Sequence, residues 1–549
     1  MKILWLDINS SFSHSSLAIP ALDAQLESSL RSKAVWEIVS GTIKMESNYF
    51  VEEIERFAPQ LILSTVWLFN HNMVMETLAK VSALSPHRRV VLGGPQFLGE
   101  NRDYFQRYPF IDALFRGEGE EIFPKFIERL LLYPFYKAIE LEGFCYLTKD
   151  GIYHDKGSAQ VAFFNKLKWP EESSLFNWDK PFLQIETSRG CFNRCSFCVS
   201  GTSRSIEELS PDIVKGRIEE MVKKGVKEIR ILDRTFNANS KRAAELIDIF
   251  SQYRGEVEFH LEIHPALIDS HLEKALNRAP IGALHIEVGV QSFREEVLAA
   301  CKRAGNMEQT VRGVKILCKN GRFIIHTDLL IAIPLYSYQE MVEDLAKMFE
   351  LYPHEIQLES LKILPGTTLQ QEHLKYGIKY NPLPPYQVLE SSHISLSEII
   401  RGELISKVID HYYNPFHFRE FFRRATLLHP ALLEELVDFY QDRDIPISIG
   451  VERRALNLWE FVSSHYPSLI EDLAVRWMEL GLSYRDREGA GFLSRSWKPG
   501  DTLHNPIYSK EKGVTTRYRY LKFKNRIHWF QYDRAKGSSR AALHFIALC

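Results

Sequence analysis

The 549-residue sequence has no uninterrupted apolar run near the length that crosses a bilayer, so it does not read as a membrane-spanning chain. Its first residues, Met1-Lys-Ile-Leu-Trp-Leu-Asp7, lack the long apolar core and cleavage site of a secretory signal and read as a first β-strand. Charge of one sign is also missing. The net charge of −2 gives the whole chain no bias toward nucleic acid or a membrane surface. Cysteine is scarce: seven residues, three of them bunched, fit a reducing cytoplasm rather than a disulfide framework. What is left, 45% apolar and 25% charged residues, is ordinary for globular protein, and the length suggests about three domains.

Four cysteines (Cys145, Cys301, Cys318, Cys549) are scattered and read mainly as small apolar packing residues. The other three lie in Glu186-Thr-Ser-Arg-Gly-Cys191-Phe-Asn-Arg-Cys195-Ser-Phe-Cys198, directly after the apolar run Phe182-Leu183-Gln184-Ile185. C-x3-C-x2-C spacing, with Gly190 and Asn193 to let the loop curl, can hold three corners of a cubane iron–sulfur cluster. Such clusters ordinarily take four cysteines, and no fourth lies nearby. One iron would stay open, as in metal sites that do chemistry. The plainer alternatives are a zinc knuckle or buried thiols. Zinc would want a fourth ligand, and the first histidine downstream is His260, outside the usual short spacing. The stretch resembles the cluster loop of the radical S-adenosylmethionine (SAM) superfamily. That resemblance implies a [4Fe-4S] cluster on Cys191, Cys195 and Cys198, with the amine and carboxylate of SAM on the open iron and Phe197 against the adenine.

Residues 1–138 alternate strand-like and helix-like segments. Strands are expected at Lys2–Asp7, Val35–Ser40, Leu61–Val66, Arg89–Leu92 and Asp112–Phe115. Helices between them argue for an open, parallel, doubly wound, flavodoxin-like sheet. Ligands on such sheets bind beyond the carboxyl ends of the strands. There the sequence places Ser64-Thr65, Gly93-Gly94-Pro95 and Gly117-Glu118-Gly119-Glu120, with glycines expected to let a large ligand approach the backbone. In this order the loops resemble the cobalamin-binding domain that precedes the barrel in one class of radical SAM enzymes. The resemblance implies that Ser64, Thr65, Gly93, Gly94, Gly117, Glu118 and Gly119 surround the nucleotide tail of cobalamin. The D-x-H-x-x-G pattern of other cobalamin domains fails at His14, where Phe12 precedes and Leu17 follows, so no protein histidine ligand is expected. Two alternating runs flank Lys149-Asp150-Gly151 in the linker 139–180 and predict a hairpin.

From 181 to 378 the alternation resumes, with strands expected at Phe182–Thr187, Glu228–Leu232, Glu256–Glu262, Ala283–Val290, Phe323–Ile333 and Glu355–Leu364. Ser210 followed by Pro211 predicts the start of a helix over Pro211–Lys224. Six βα units suit a partial (β/α)6 barrel, whose functional residues gather at the carboxyl ends of the strands. Asp233 and Asn237, Glu262 and His264, Glu287-Val-Gly-Val-Gln291-Ser292, Asp328, and Pro365-Gly366 lie at such ends. Each could equally be a turn or cap residue. The G-x-Q-S and Pro-Gly stretches are similar to those of the superfamily, which implies SAM contacts from Asp233, Asn237, Glu287, Gln291, Ser292, Asp328 and Pro365.

After Asn381-Pro-Leu-Pro-Pro385 the composition changes, and residues 386–549 read as a mainly helical domain ending in a small basic β segment. Helices are expected at Leu396–Tyr412, Phe416–Arg424, Pro430–Tyr440 and Leu456–Tyr466. This part is similar to an uncharacterised domain of cobalamin-type radical SAM proteins. Arg495–Arg540 holds twelve basic against three acidic residues, interleaved with Tyr518, Tyr520, Phe523, Trp529 and Tyr532. Such a face can bind RNA by phosphate contact and stacking, or be a solvated strand packed on helices.

Taken together, the resemblance implies a cobalamin-dependent radical SAM enzyme, a methyltransferase acting on an unactivated carbon. Cyclisation and rearrangement are the other outcomes that the architecture supports. An electron donor such as flavodoxin or ferredoxin and a small-molecule or peptide substrate are the implied partners. An RNA-modifying enzyme and a non-catalytic cobalamin sensor or carrier are the competing readings.

Overall fold

The computed structural model describes residues 1–202, 205–441, 443, 449–482, 492–496, 514–523, 526–535 and 542–548. The chain divides into two compact units: Met1–Asp344 with Gln357–Ile399, and Leu345–Ile356 with Ile400–Cys549.

The first unit opens with strands β1 (Lys2–Asn9), β2 (Val35–Thr42), β3 (Leu61–Thr65), β4 (Arg89–Gly93) and β5 (Ala113–Phe115). They pair in parallel in the order β2-β1-β3-β4-β5. Alternate residues explain the two covered faces. Leu4, Leu6, Ile62 and Leu92 pack on the helices Ser47–Phe57 and His71–Leu84, whereas Ile3, Trp5, Leu63 and Val91 pack on Ala18–Ala24 and Ile122–Leu132. A strand buried on both sides needs apolar residues at every position, which is why Ile3-Leu-Trp-Leu6 runs without a polar break. A parallel sheet with helices on both faces agrees with the expected α/β class. The linker hairpin, β6 (Phe144–Leu147) and β7 (Tyr153–Asp155), does not stand apart: it extends this sheet antiparallel from β5.

The second sheet begins at β8 (Leu183–Ile185), and a short antiparallel ladder follows, β9 (Ser188–Arg189) with β10 (Glu207–Glu208). Strands β11 (Glu228–Ile231), β12 (Glu258–Glu262), β13 (Leu284–Gln291), β14 (Ile324–Ile331) and β15 (Glu355–Ser360) complete a row in the order β15-β14-β13-β12-β11-β8. The pairs from β8 to β14 are parallel and in sequence order, and β8 and β15 are the two edges. Strands added always on the same side curl into a partial barrel instead of a doubly wound sheet. Along β12–β14 the odd-even alternation separates faces. Phe259, Leu261, Ile286, Val288, Ile325 and Thr327 are buried, while His260, Glu262, His285, Glu287, His326 and Asp328 take the opposite, half-buried face. Closed βα barrels fill that interior with branched apolar layers; this one fills it with titratable groups. The helix Pro211–Lys223 starts where expected, with Ser210 Oγ accepting from Ile213 N at 3.4 Å.

After the short ladder β16 (Lys379–Tyr380) and β17 (Val388–Glu390), the second unit carries the helices Arg419–Leu428, Leu432–Gln441, Val451–His465 and Ile470–Glu479. The last of these is absent from the sequence-based expectation. Strands β18 (Phe492–Ser496), β19 (Val514–Phe523), β20 (Arg526–Ala535) and β21 (Ala542–Leu548) form an antiparallel sheet, and the basic stretch is divided among the end of β18, β19 and β20. The remaining residues of the basic stretch (497–513, 524–525 and 536–540) lie outside the described ones. The aromatics Tyr518, Tyr520, Trp529 and Tyr532 are buried. They pack the sheet instead of offering a stacking platform.

Candidate cluster loop and cofactor cavity

Thr187 leaves β8 and enters the cysteine loop, and its position is fixed by charge. Asp233, fully buried after β11, accepts from Thr187 N at 2.7 Å, Thr187 Oγ1 at 2.5 Å and Ser188 N at 2.8 Å. Burial pushes its carboxyl pKa up, and those donors oppose the shift. Arg242 donates to the carbonyls of Thr187 and Leu209 at 2.8 and 3.0 Å. Asp233 therefore orients the loop and is not free at the barrel mouth, as the sequence suggested. Asn237 is equally committed, exchanging bonds with His264 N and O across to the end of β12. Ser292, also fully buried, donates to Asp344 at 2.8 Å. These residues are spaced like ligand contacts because strand ends need polar caps, and sequence cannot separate the two uses.

The loop itself is held by its own backbone and by residues 301–304. Cys198 N donates to Cys195 O at 3.1 Å, and Gly201 N to Cys198 O at 2.9 Å. A side chain at Gly201 would lie 2.2 Å from Cys195 O. Ser196 N donates to Cys301 O at 2.8 Å, Leu369 N to Ser196 O at 2.7 Å, and Ala304 N to Asn193 Oδ1 at 2.8 Å. Cys195 is buried, while Cys191 and Cys198 are half-buried, as is Phe197 between the last two. Desolvation raises the Cys195 thiol pKa, opposed by the Arg303 guanidinium, whose Nη1 lies 3.6 Å from Sγ. Thr235 Oγ1 is 3.8 Å from Cys191 Sγ. Cys301 is a packing residue, its thiol pushed up to about 12 by burial. Among the described residues, no three Cys, His, Asp or Glu side chains converge on one point closely enough for a single metal ion. The triad supplies three thiols, one short of the four ligands that a structural zinc site takes. Arg303 and Thr235 carry no signal in sequence, because only the fold brings them to the sulfurs.

Below the loop, the barrel interior places Glu262, Glu287 and Asp328 on adjacent strands. Glu262 is pushed up to about 7 by burial and then by Glu287. Asp328 is raised well above its usual range by burial, Glu287 and Glu262. The Glu287 pKa is lowered, chiefly by its hydrogen bond with His260 at 3.2 Å. His264, buried beside Phe192, is pushed down to about 4 by desolvation. Gln291 has φ 71° at a register shift in β13, which folds its amide over Gly289. Pro365 is half-buried, and next to it Gly366 (φ +79°) meets the backbone of Leu98 and Gly99 from the loop after β4.

The ends of β3, β4 and β5 open on a cavity of about 470 Å³. Ser64, Thr65, Gly93, Gly94, Gly117, Glu118 and Gly119 all line it, together with Trp5, Ala21 and Phe126 from the first sheet and its helices. Arg189, Gly190, Val199 and Ser200 of the cysteine loop line the same cavity. No histidine does. His14 bonds Ser11 Oγ at 2.8 Å and lines a separate cavity at the ends of β1 and β2. The glycines act differently from the expectation. A side chain at Gly94 (φ +108°) would meet Val66 O at 2.6 Å, one at Gly117 (φ +91°) Ala159 O at 2.1 Å, and one at Gly119 Leu22 at 2.9 Å. Gly94 and Gly117 are thus required by the protein's own turns, whereas a side chain at Gly93 would make only ordinary contact with Phe115, at 3.8 Å.

An open βα barrel with a C-x3-C-x2-C loop after its first strand defines the class: residues 185–348 match the model of the Radical SAM superfamily, and this part of the chain is a radical SAM domain. Residues 374–475 match a family described as a protein of unknown function, DUF4080. Among curated proteins, the chain is similar to the cobalamin-dependent radical SAM methyltransferase TokK of Streptomyces tokunonensis. Identity is 22% over 362 residues, 60% of this chain and 51% of TokK. It is also 21% identical, over 63% of its length, to the 2-(S-pantetheinyl)-carbapenam-3-carboxylate methyltransferase of Streptantibioticus cattleyicolor, of which it covers 54%. The chain thus spans about half the length of these two relatives. Among solved structures, the fold is similar to that of the cobalamin-dependent SAM radical enzyme OxsB with aqua-cobalamin and SAM bound. The TM-score is 0.61 at 15% identity, over 87% of this chain and 78% of OxsB.

Proposed function

We propose that the protein is a cobalamin-dependent radical SAM enzyme that transfers a methyl group to an unactivated carbon. The observation that carries this reading is the shared cavity, lined on one side by the ends of β3, β4 and β5 and on the other by the cysteine loop. TokK and the carbapenam methyltransferase, both similar to this chain, are named as methyltransferases, which supports methylation over cyclisation or rearrangement. Cys191, Cys195 and Cys198 would hold the [4Fe-4S] cluster, with Arg303 and Thr235 beside two of the sulfurs. Phe197, Glu287, Gln291, Asp328 and Pro365 are the residues assigned to SAM; Asp233, Asn237 and Ser292 support them from behind. The cavity residues Ser64, Thr65, Gly93, Gly94, Gly117, Glu118 and Gly119 would hold cobalamin, without a histidine ligand. When bound, these groups supply reductive cleavage of SAM to a 5′-deoxyadenosyl radical and a transferable methyl group. The protein's part is to hold the loop, keep water from the barrel interior and set protonation there. Glu262, with a pKa of about 7, and the raised Asp328 can each hold a proton at neutral pH.

A reductant such as flavodoxin or ferredoxin and a small-molecule or peptide substrate complete the proposal. RNA recognition is the weaker reading, since Tyr518, Tyr520, Trp529 and Tyr532 of the basic sheet are buried. Anaerobic incubation with SAM, dithionite and cobalamin tests the reaction class. Methylation predicts both 5′-deoxyadenosine and S-adenosylhomocysteine, the latter only when cobalamin is present. Formation of 5′-deoxyadenosine alone would instead favour cyclisation or rearrangement.

A further inference from the structure

Arg189 stands two residues before the first cysteine, and three carboxylates converge on it. Its guanidinium lies 2.9 Å from Glu120, 3.8 Å from Glu118 and 2.5 Å from Glu186, and packs over the Phe164 ring at 4.7 Å. Only 15% of the side chain is exposed. Glu186 is local, but Glu118 and Glu120 belong to the loop after β5. The loop backbone is anchored at several points: Glu118 N donates to Ala159 O at 2.9 Å, and Glu118 Oε2 accepts from Val161 N at 2.6 Å. Gly119 O accepts from Ile122 N and Phe123 N at the start of the following helix. Beyond Arg189 only Gly190, at φ +100°, separates the guanidinium-bearing residue from Cys191. The same five residues, Glu118, Glu120, Glu186, Arg189 and Gly190, line the 470 Å³ cavity.

We infer that Arg189 is a positioning residue that links occupancy of the cavity to order in the cysteine loop, so that cobalamin and the cluster each favour binding of the other. The inference rests on the cofactor assignment proposed above. A molecule seated against Gly117–Gly119 limits the motion of Glu118 and Glu120, and these hold Arg189. An ordered cysteine loop, conversely, presents Arg189 to both glutamates and fixes the cavity wall. A single guanidinium serving three carboxylates cannot be lost without leaving like charges crowded in a half-buried space. Binding linkage is reciprocal, so either cofactor can be used to read it.

The test is an anaerobic titration with hydroxocobalamin, followed by corrin absorbance. It compares protein carrying the reconstituted cluster with the cluster-free C191A/C195A/C198A protein. With Arg189 present, the cluster is expected to tighten cobalamin binding about tenfold, within the usual range of coupling between sites. In Arg189→Met the two forms should bind equally. Glu120→Gln, which leaves the cysteine loop untouched, should lose most of the linkage and guards against simple misfolding of the first variant. Equal binding with and without the cluster when Arg189 is intact would overturn the inference. Failure of the protein to bind hydroxocobalamin in any form would instead overturn the cofactor assignment itself.

Discussion

Cys198→Ala is expected to remove the iron–sulfur absorbance and to reduce 5′-deoxyadenosine formation from SAM to background. Alanine has no lone pair to offer iron, and two cysteines do not retain a cubane that already has one open corner. The effect should be confined to the metal centre. The hydrogen bonds that shape the loop at this position, Cys198 N to Cys195 O and Gly201 N to Cys198 O, are made by the backbone and survive the substitution. Thermal unfolding followed by circular dichroism should therefore change little, whereas iron and sulfide content should collapse. SAM cleavage at an undiminished rate in this variant would show that the triad is not the site of reduction.

The second large effect is expected from Ala21→Trp. Ala21 lies on the helix Ala18–Ala24 and lines the cavity, so an indole there occupies space that the cofactor assignment gives to cobalamin. The helix should accept the change, because the residue is half-buried and its side chain meets the cavity instead of packed core. Corrin binding should weaken by at least about a hundredfold, equivalent to about 2.8 kcal/mol. The cluster should still form, and SAM should still be cleaved. Measured together, corrin and iron–sulfur absorbance separate the two sites. Unchanged cobalamin affinity would place that cofactor elsewhere.

The two α/β sheets were legible because their strands combine apolar runs or strict alternation with strong punctuation. Ile3-Leu-Trp-Leu6 announces a strand buried on both faces, and Ser210-Pro211 announces a helix start. The cysteine loop was legible for a different reason: its spacing is local, and the chemistry needs nothing from elsewhere in the chain. The residues around it were not. Arg303 reaches Cys195 over a long sequence separation, and Arg189 meets Glu118 and Glu120 from another sheet. Polar strand-end residues were legible as a set, but not by role. Asp233 and Ser292 turned out to serve the protein's own backbone and buried network, while Glu287 and Asp328 face the barrel interior. The same ambiguity affected the glycines, since a left-handed turn and a ligand approach both select glycine. The helix Ile470–Glu479 and the division of the basic stretch among the end of β18, β19 and β20 went unread. In that region, tertiary packing of Trp477, Tyr520 and Trp529 outweighs the charge pattern.

The shared cavity makes one measurement decisive: the ultraviolet–visible spectrum of the intact protein after anaerobic reconstitution with iron, sulfide and hydroxocobalamin and removal of the unbound cofactors. Occupancy of both sites predicts iron–sulfur and corrin bands together on the same protein, each near one equivalent. Iron–sulfur bands without corrin bands would contradict it, leaving a radical SAM domain beside a cavity that serves some other ligand.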